Sequence, residues 1–224
     1  MSASMQGIVE RTDRGPLSRE EMAAIVAADI DPGWFVNLGI GQPTLVADHL
    51  FEGSGVTLHT ENGMLGMGST VTGDAVDPDR INAGKIPVSE RPGASYFHHA
   101  DSFAMMRGGH LDLCVLGGFQ VSAMGDLANW HTGDQDSIPA VGGAMDLAMG
   151  AKQVFVMMSL FTKTGVAKMV SSCTYPLTAP RCVNRVYTDV AIFDIADGEV
   201  CVRETWGMSY AEICTRVDIQ LMQG

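Results

Sequence analysis

The residues of this chain that can do chemistry are a carboxylate, an amide and two glycine turns. Glu61 lies in Val56-Thr-Leu-His-Thr-Glu-Asn-Gly63, which runs on into Met-Leu-Gly-Met-Gly68. Val56, Leu58 and Thr60 alternate with Thr57 and His59, the period-two pattern of a half-buried strand. Asn62-Gly63 is a turn dipeptide, because both residues tolerate positive φ. Glu61 is therefore expected at the carboxyl end of a strand, the edge at which open α/β sheets bind ligands. Gly63, Gly66 and Gly68 would let another molecule approach the backbone closely. Two readings stand for Glu61. It is a surface carboxylate on a glycine-rich turn, or it is a nucleophile that splits a difficult acyl transfer into two easier steps through a covalent intermediate.

The amide is Asn37, inside the apolar run Trp34-Phe-Val-Asn-Leu-Gly-Ile-Gly41, which reads as a buried strand. An amide there needs hydrogen-bond partners. Gly39 and Gly41, followed by Gln42-Pro43, lead into a helix expected to run through His49. Strand, glycine loop and helix in that order resemble a phosphate-binding turn. The full GxGxxG and any P-loop lysine are missing, so a tight strand-to-helix turn is an equal reading. The second glycine turn is in Ile138–Met149, where Gly142 and Gly143 open a short helix. Backbone N–H groups there would point out of the helix start and can stabilise a developing oxyanion; close packing is the alternative. His98-His99 invites a metal reading, but no nearby spacing completes a site and adjacent helix positions point apart, so no metal is expected.

The elements that must position these groups follow from periodicity. Ser18-Arg-Glu-Glu21 is a capping box before a helical stripe of Met22, Ile25, Val26 and Ile30. Residues 69–80 read as loop, Ile81–Val88 as a short strand pair and Ser95–Met106 as a helix with Phe97, Ala100, Phe103 and Ala104 on one face. Leu111–Leu116, Phe119–Ser122, Asp126–Trp130 and Gln153–Met158 read as strands. Val183–Asp194 and Val200–Glu204 form a hairpin about Asp197-Gly198. Ser209-Tyr-Ala-Glu212 is a second capping box, opening a last helix through Arg216. Buried strands alternating with helices predict an α/β fold, a mainly parallel open sheet flanked by helices. Residues 1–16 read as a mobile lead-in and residues 17–224 as one domain.

Composition removes several classes of function. The 224 residues are 46% hydrophobic and 18% charged, which is globular rather than disordered. The formal net charge of -12 argues against nucleic-acid and anionic-membrane partners, and an anionic substrate would need a local basic patch. No apolar run is long enough to span a bilayer. Met1–Gly7 lacks the charged and apolar regions of a signal peptide, so a cytoplasmic location is the default expectation. The five cysteines show no CxxC spacing and read as reduced, small hydrophobic residues.

Four of these motifs together resemble the B subunit of class I 3-oxoacid CoA-transferases: Asn37-Leu-Gly-Ile-Gly41; Thr60-Glu-Asn-Gly63 with Leu65-Gly-Met-Gly68; Gly125-Asp-Leu-Ala-Asn-Trp130; and Gly142-Gly-Ala-Met-Asp-Leu147. The likeness runs from about Leu17 to Thr215. Phe97-His-His-Ala-Asp-Ser-Phe103 and Met106-Arg-Gly-Gly-His-Leu-Asp112 look nearest to the 3-oxoadipate branch, with the succinyl-CoA:acetoacetate branch as the alternative. The resemblance implies a CoA-transferase fold related to sugar-phosphate isomerases. It implies Glu61 as nucleophile, Asn37 beside it and Gly142 in the oxyanion hole. Gly39, Gly41, Gly63 and Gly143 would be the loops that receive CoA. Thr60 stands where the family has Ser and keeps the hydroxyl. The implied reaction moves CoA from succinyl-CoA to a 3-oxoacid through a glutamyl-CoA thioester, without a cofactor beyond the CoA thioester substrate. The implied partner is an A subunit, in a heterotetramer of two A and two B chains. A sugar-phosphate isomerase-like enzyme and a non-catalytic ligand-sensing subunit are the competing readings.

Overall fold

The computed structural model describes residues 8–133, 138 and 141–224. Its strands, in chain order, are β1 (Val9–Arg11), β2 (Phe35–Leu38), β3 (Thr57–Thr60), β4 (Met64–Thr70), β5 (Val88–Tyr96), β6 (Leu113–Gly117), β7 (Gln120–Ser122), β8 (Leu127–Ala128), β9 (Gln153–Met157), β10 (Met169–Val170), β11 (Arg185–Tyr187), β12 (Ala191–Ala196), β13 (Glu199–Trp206) and β14 (Met222–Gln223). The α-helices are α1 (Arg19–Ala28), α2 (Val46–His49), α3 (His99–Arg107), α4 (Ala144–Gly150) and α5 (Tyr210–Arg216). The class is α/β, as expected, with β2 parallel to β3 and β6, and β9 parallel to β11.

The chain divides into two compact units. One is made of Arg19–Gly117 and Gly142–Val154; the other of Met1–Ser18, Gly118–Val141 and Phe155–Gly224. Each is assembled from separated stretches of chain, which periodicity along one sequence does not reveal.

The first unit carries the Glu61, Asn37 and Gly142 motifs. Its strands run β6–β2–β3–β4–β5, with β2 parallel to both β6 and β3. Val36, Leu58, Leu113 and Val115 are buried, the apolar content that central parallel strands need. β3 is buried at His59 and Thr60 as well as Leu58, so its alternating pattern does not mark a solvent face. The chain does not leave the sheet after Glu61 but turns straight into β4, which pairs antiparallel with β3. β5 then pairs with β4 and takes in Ser95 and Tyr96, two residues the sequence assigns to a helix. Its Arg-Pro-Gly centre hides it from strand signals; proline and exposed polar residues are what an edge strand tolerates. α3 accordingly starts at His99, with the His98 side chain accepting from the Ala100 N–H. It buries Ser102 and Met106, while Ala100 and Ala104 are exposed. The helix expected from Pro43 is a 3-10 turn over Gln42–Leu45 that passes into α2.

In the second unit, β9–β11–β12–β13–β1 is the strand order, with β14 also on β13, and β10–β7–β8 form a small separate sheet. β1 lies inside the stretch read as a lead-in and pairs in parallel with β13, where Arg11 and Glu204 form an ion pair. The long strand read over Val183–Asp194 is two strands. Thr188 breaks it: its hydroxyl accepts from the Val190 and Ala191 N–H groups and bonds the Ala191 carbonyl, so β11 and β12 fold back as a hairpin. The Ser209 capping box forms as read, with Ser209 and Glu212 exchanging side-chain and backbone bonds. Among the described residues no helix is long and apolar enough to cross a membrane.

Candidate active site

The turn after β3 is tied down at every residue around Glu61. The Gly63 N–H closes it on the Thr60 carbonyl at 3.0 Å. The Thr60 hydroxyl accepts from the Met64 N–H at 3.1 Å, so the hydroxyl shared by Thr and Ser has a structural use. Asn62 Nδ2 donates to the Ile81 carbonyl at 2.8 Å, and the Phe97 N–H to the Gly63 carbonyl at 2.9 Å. Gly63 has φ 113°. A Cβ on Gly63 would overlap the Phe97 carbonyl, one on Gly66 would press on Ala94 and one on Gly68 would overlap the Ser89 side chain. These glycines therefore admit β5 to the hairpin. The space beside each of these glycines is taken by the chain itself, at Phe97, Ala94 and Ser89.

Glu61 itself projects, half-buried, from the second position of this turn. Its carboxylate lies directly against Gly143, at the start of α4: a Cβ on Gly143 would overlap Glu61 Oε2 and stand 3.1 Å from Phe103 Cζ. Burial raises the Glu61 pKa above the ordinary carboxylate value, and the nearby His99 pulls the other way. The His99 ring lies against Phe103, with centroids 4.7 Å apart. His99, Phe103 and Arg107 share one face of α3, spaced by four residues. Arg107 donates to Asp146 of α4 at 2.6 and 3.3 Å and stacks over Phe103 at 5.5 Å. That fork clamps the end of α3 to α4, so the guanidinium is engaged with Asp146.

Asn37 is buried, 2% exposed, and its amide is turned to β3. Nδ2 donates to the His59 carbonyl and meets His59 Nδ1, both at 3.1 Å. On the other side of the ring, Nε2 meets Ser102 Oγ at 3.0 Å, and Ser102 Oγ donates to the Thr60 carbonyl at 3.1 Å. Donor chemistry fixes the protons. An amide nitrogen only donates, so Nδ1 is bare; the one hydroxyl proton goes to a carbonyl, so Nε2 carries the ring hydrogen. His59 is thus a neutral imidazole, 1% exposed, and burial depresses its pKa from 6.5 to about 4. A histidine harder to protonate folded than unfolded stabilises the fold above its unfolded pKa. That contribution fades as pH falls from 6.5 towards 4, by about 3 kcal/mol in all. Urea denaturation at pH 7.5 and pH 4 is expected to show a drop in stability that is smaller by about that amount in His59→Gln. An equal drop in both proteins would refute the assignment.

The remaining glycines divide. Gly39 donates to the Val115 carbonyl at 2.8 Å, and a Cβ there would stand 3.1 Å from that oxygen and from Leu116 Cδ2, so it serves strand-to-loop packing. Gly41, with φ 93°, and Gly142, with φ 48°, have open space where a Cβ would stand. Gly143, rather than Gly142, is the glycine that meets Glu61. His59 and Ser102 are candidate site residues to which the sequence assigns no role; His99 is read there only for a metal and Phe103 only as part of a helix face. The available signal was a histidine in an apolar strand, which, like Asn37, needed partners. Cys114 is buried and donates to the Leu147 carbonyl. Burial pushes Cys173 up to about 11 and Cys182 up to about 12, so neither is a thiolate at neutral pH. Among the described residues no group of three His, Cys, Asp or Glu is placed to hold a metal.

A carboxylate at the carboxyl end of a parallel strand, partly desolvated and packed on a helix-start glycine, has the parts of an acyl-transfer enzyme. The chain belongs to the Coenzyme A transferase family, whose model matches residues 19–210. It is 58% identical over 207 residues to the B subunit of the 3-oxoadipate CoA-transferase of Pseudomonas putida, covering 92% of this chain and 93% of that one. It is 46% identical over 187 residues to the B subunit of a probable succinyl-CoA:3-ketoacid coenzyme A transferase of Bacillus subtilis, covering 84% and 86%. Among solved structures, the acyl-CoA transferase YdiF of Escherichia coli O157:H7 superposes with a TM-score of 0.72 at 18% identity, over 93% of this chain. The match spans 42% of the YdiF chain, and at that identity the likeness is one of fold.

Proposed function

We propose that this chain is the nucleophile-bearing subunit of a CoA-transferase that moves CoA from succinyl-CoA to 3-oxoadipate. The observation that carries the reading is the half-buried Glu61 carboxylate, held on a fully tied turn against Gly143. Ionised Glu61 attacks the thioester carbonyl, the C–S bond breaks, and CoA thiolate leaves a mixed anhydride. The thiolate then attacks the Glu61 carbonyl, releases the donor acid as its carboxylate and leaves a glutamyl-CoA thioester. The acceptor carboxylate reverses both steps. Each attack passes through an oxyanion; backbone N–H groups at Gly142 and Gly143 are the candidate donors, each worth about 3–4 kcal/mol in such sites. Gly41 remains available as a CoA-receiving turn.

The choice of 3-oxoadipate rests on the 58% relative and on the sequence over Phe97–Asp112. Succinyl-CoA:3-ketoacid transfer is the second reading, favoured by the 46% relative. Both relatives are named as B subunits, so an A subunit supplies the rest of the enzyme, in a heterotetramer. The purified chain alone is expected to show no turnover, and co-expression with an A subunit to restore it. In the assembled enzyme kcat/KM for 3-oxoadipate is expected to exceed that for acetoacetate about 10-fold or more, the discrimination of a site that pairs a second carboxylate. Equal values would remove the acceptor assignment; full turnover by the isolated chain would remove the partner.

A further inference from the structure

We propose that His59 and Ser102 are positioning residues for Glu61, through a chain that runs Asn37–His59–Ser102–Thr60 carbonyl. The inference rests on Glu61 being the nucleophile. The Thr60 carbonyl is the atom that closes the turn, and it receives two donors: the Gly63 N–H at 3.0 Å and the Ser102 hydroxyl at 3.1 Å. The first is local and would form in any such turn. The second ties the turn to α3, the helix that carries His99 and Phe103; Phe103 Cζ lies 3.1 Å from the Cβ position of Gly143, the glycine that the carboxylate rests against. The turn is thereby registered against the elements that Glu61 must face.

Three elements contribute to the chain: Asn37 from β2, His59 from β3 and Ser102 from α3. Their exposures are 2%, 1% and 0%, and every proton along the chain has one assignment. A buried polar chain of this kind is costly unless fully satisfied, and when satisfied it specifies one geometry. Asn37, expected to stand beside the nucleophile, places its Nδ2 donor on His59 and through that ring acts on Glu61. An error of about 1 Å in a reacting group costs on the order of 100-fold in rate, which sets the scale of the effect.

The test uses the chain assembled with its A subunit. Wild type, Ser102→Ala, His59→Leu and His59→Gln are incubated with succinyl-CoA alone. The rate at which CoA appears on the Glu61 peptide is followed by quenched mass spectrometry, alongside kcat and KM. Ser102→Ala and His59→Leu are expected to form the adduct about 10- to 100-fold more slowly, with KM for succinyl-CoA changed about twofold at most. His59→Gln, whose amide replaces the Nε2 donor, is expected to recover most of the rate. Ser102→Ala removes a single oxygen and decides the matter even where His59→Leu fails to fold. Adduct formation at the wild-type rate in Ser102→Ala, or a His59→Gln enzyme as slow as His59→Leu, overturns the inference alone. Absence of any adduct on Glu61 in the wild type overturns the proposed function and this inference with it.

Discussion

Glu61→Gln is expected to lower turnover by about 10⁴-fold or more while leaving CoA binding and the fold in place. Glutamine keeps the length of the side chain and the hydrogen-bonding outline of the carboxylate. It lacks the anionic oxygen that the proposed attack on the thioester requires, and so could not form the anhydride. A 10⁴-fold loss corresponds to about 5.5 kcal/mol of transition-state stabilisation. The turn itself does not depend on the carboxylate, because Thr60, Asn62 and Gly63 make its bonds. The measurement is kcat of the assembled enzyme together with trapping of the CoA adduct from acyl-CoA alone. Substantial activity in Glu61→Gln, or an adduct on a cysteine such as Cys114, would show that the nucleophile lies elsewhere.

The next largest effect is expected from a single methyl group. Gly143→Ala places a Cβ 2.2 Å from Glu61 Oε2, too close for both to stay, and 3.1 Å from Phe103 Cζ. The carboxylate is the mobile end of a side chain and can swing aside, so the chain is expected to fold with a melting temperature close to wild type. The reacting oxygen, however, is displaced on the order of 1 Å, and kcat is expected to fall about 100-fold. Adduct formation with acyl-CoA should slow in parallel, with KM little changed. If Gly143→Ala turns over normally, the Glu61 rotamer that rests on Gly143 is not the reactive one.

Seen together, the two variants separate what the carboxylate does from where it is held. In the proposed mechanism Glu61 supplies the nucleophile, and Gly143 is the residue its carboxylate rests against. Burial raises its pKa, which marks the desolvation that makes a carboxylate a better nucleophile than in water, and His99 limits that rise.

Much of this was determined by sequence alone. Apolar runs located β2, β6 and β9, the Ser209 capping box located the start of α5, and Asn62-Gly63 located the turn that follows Glu61. These are local properties: side-chain period, helix capping and the φ that a residue tolerates act within a few residues of each other. The motifs of Glu61, Asn37 and Gly142 were legible for the same reason. What only the tertiary structure decided is which atoms meet. Gly63, Gly66 and Gly68 looked like space for a ligand, yet β5 fills it, because an edge strand built on Arg-Pro-Gly carries no strand signal of its own. Gly143 rather than Gly142 faces Glu61, a difference of one residue at a helix start that spacing cannot resolve. The partners of Asn37 lie 22 residues away on β3, and Ser102 is a further 43 residues beyond His59. Pairing of buried polar groups is settled by strand register and helix packing, which bring distant residues within 3 Å or so and leave no period in the sequence to read.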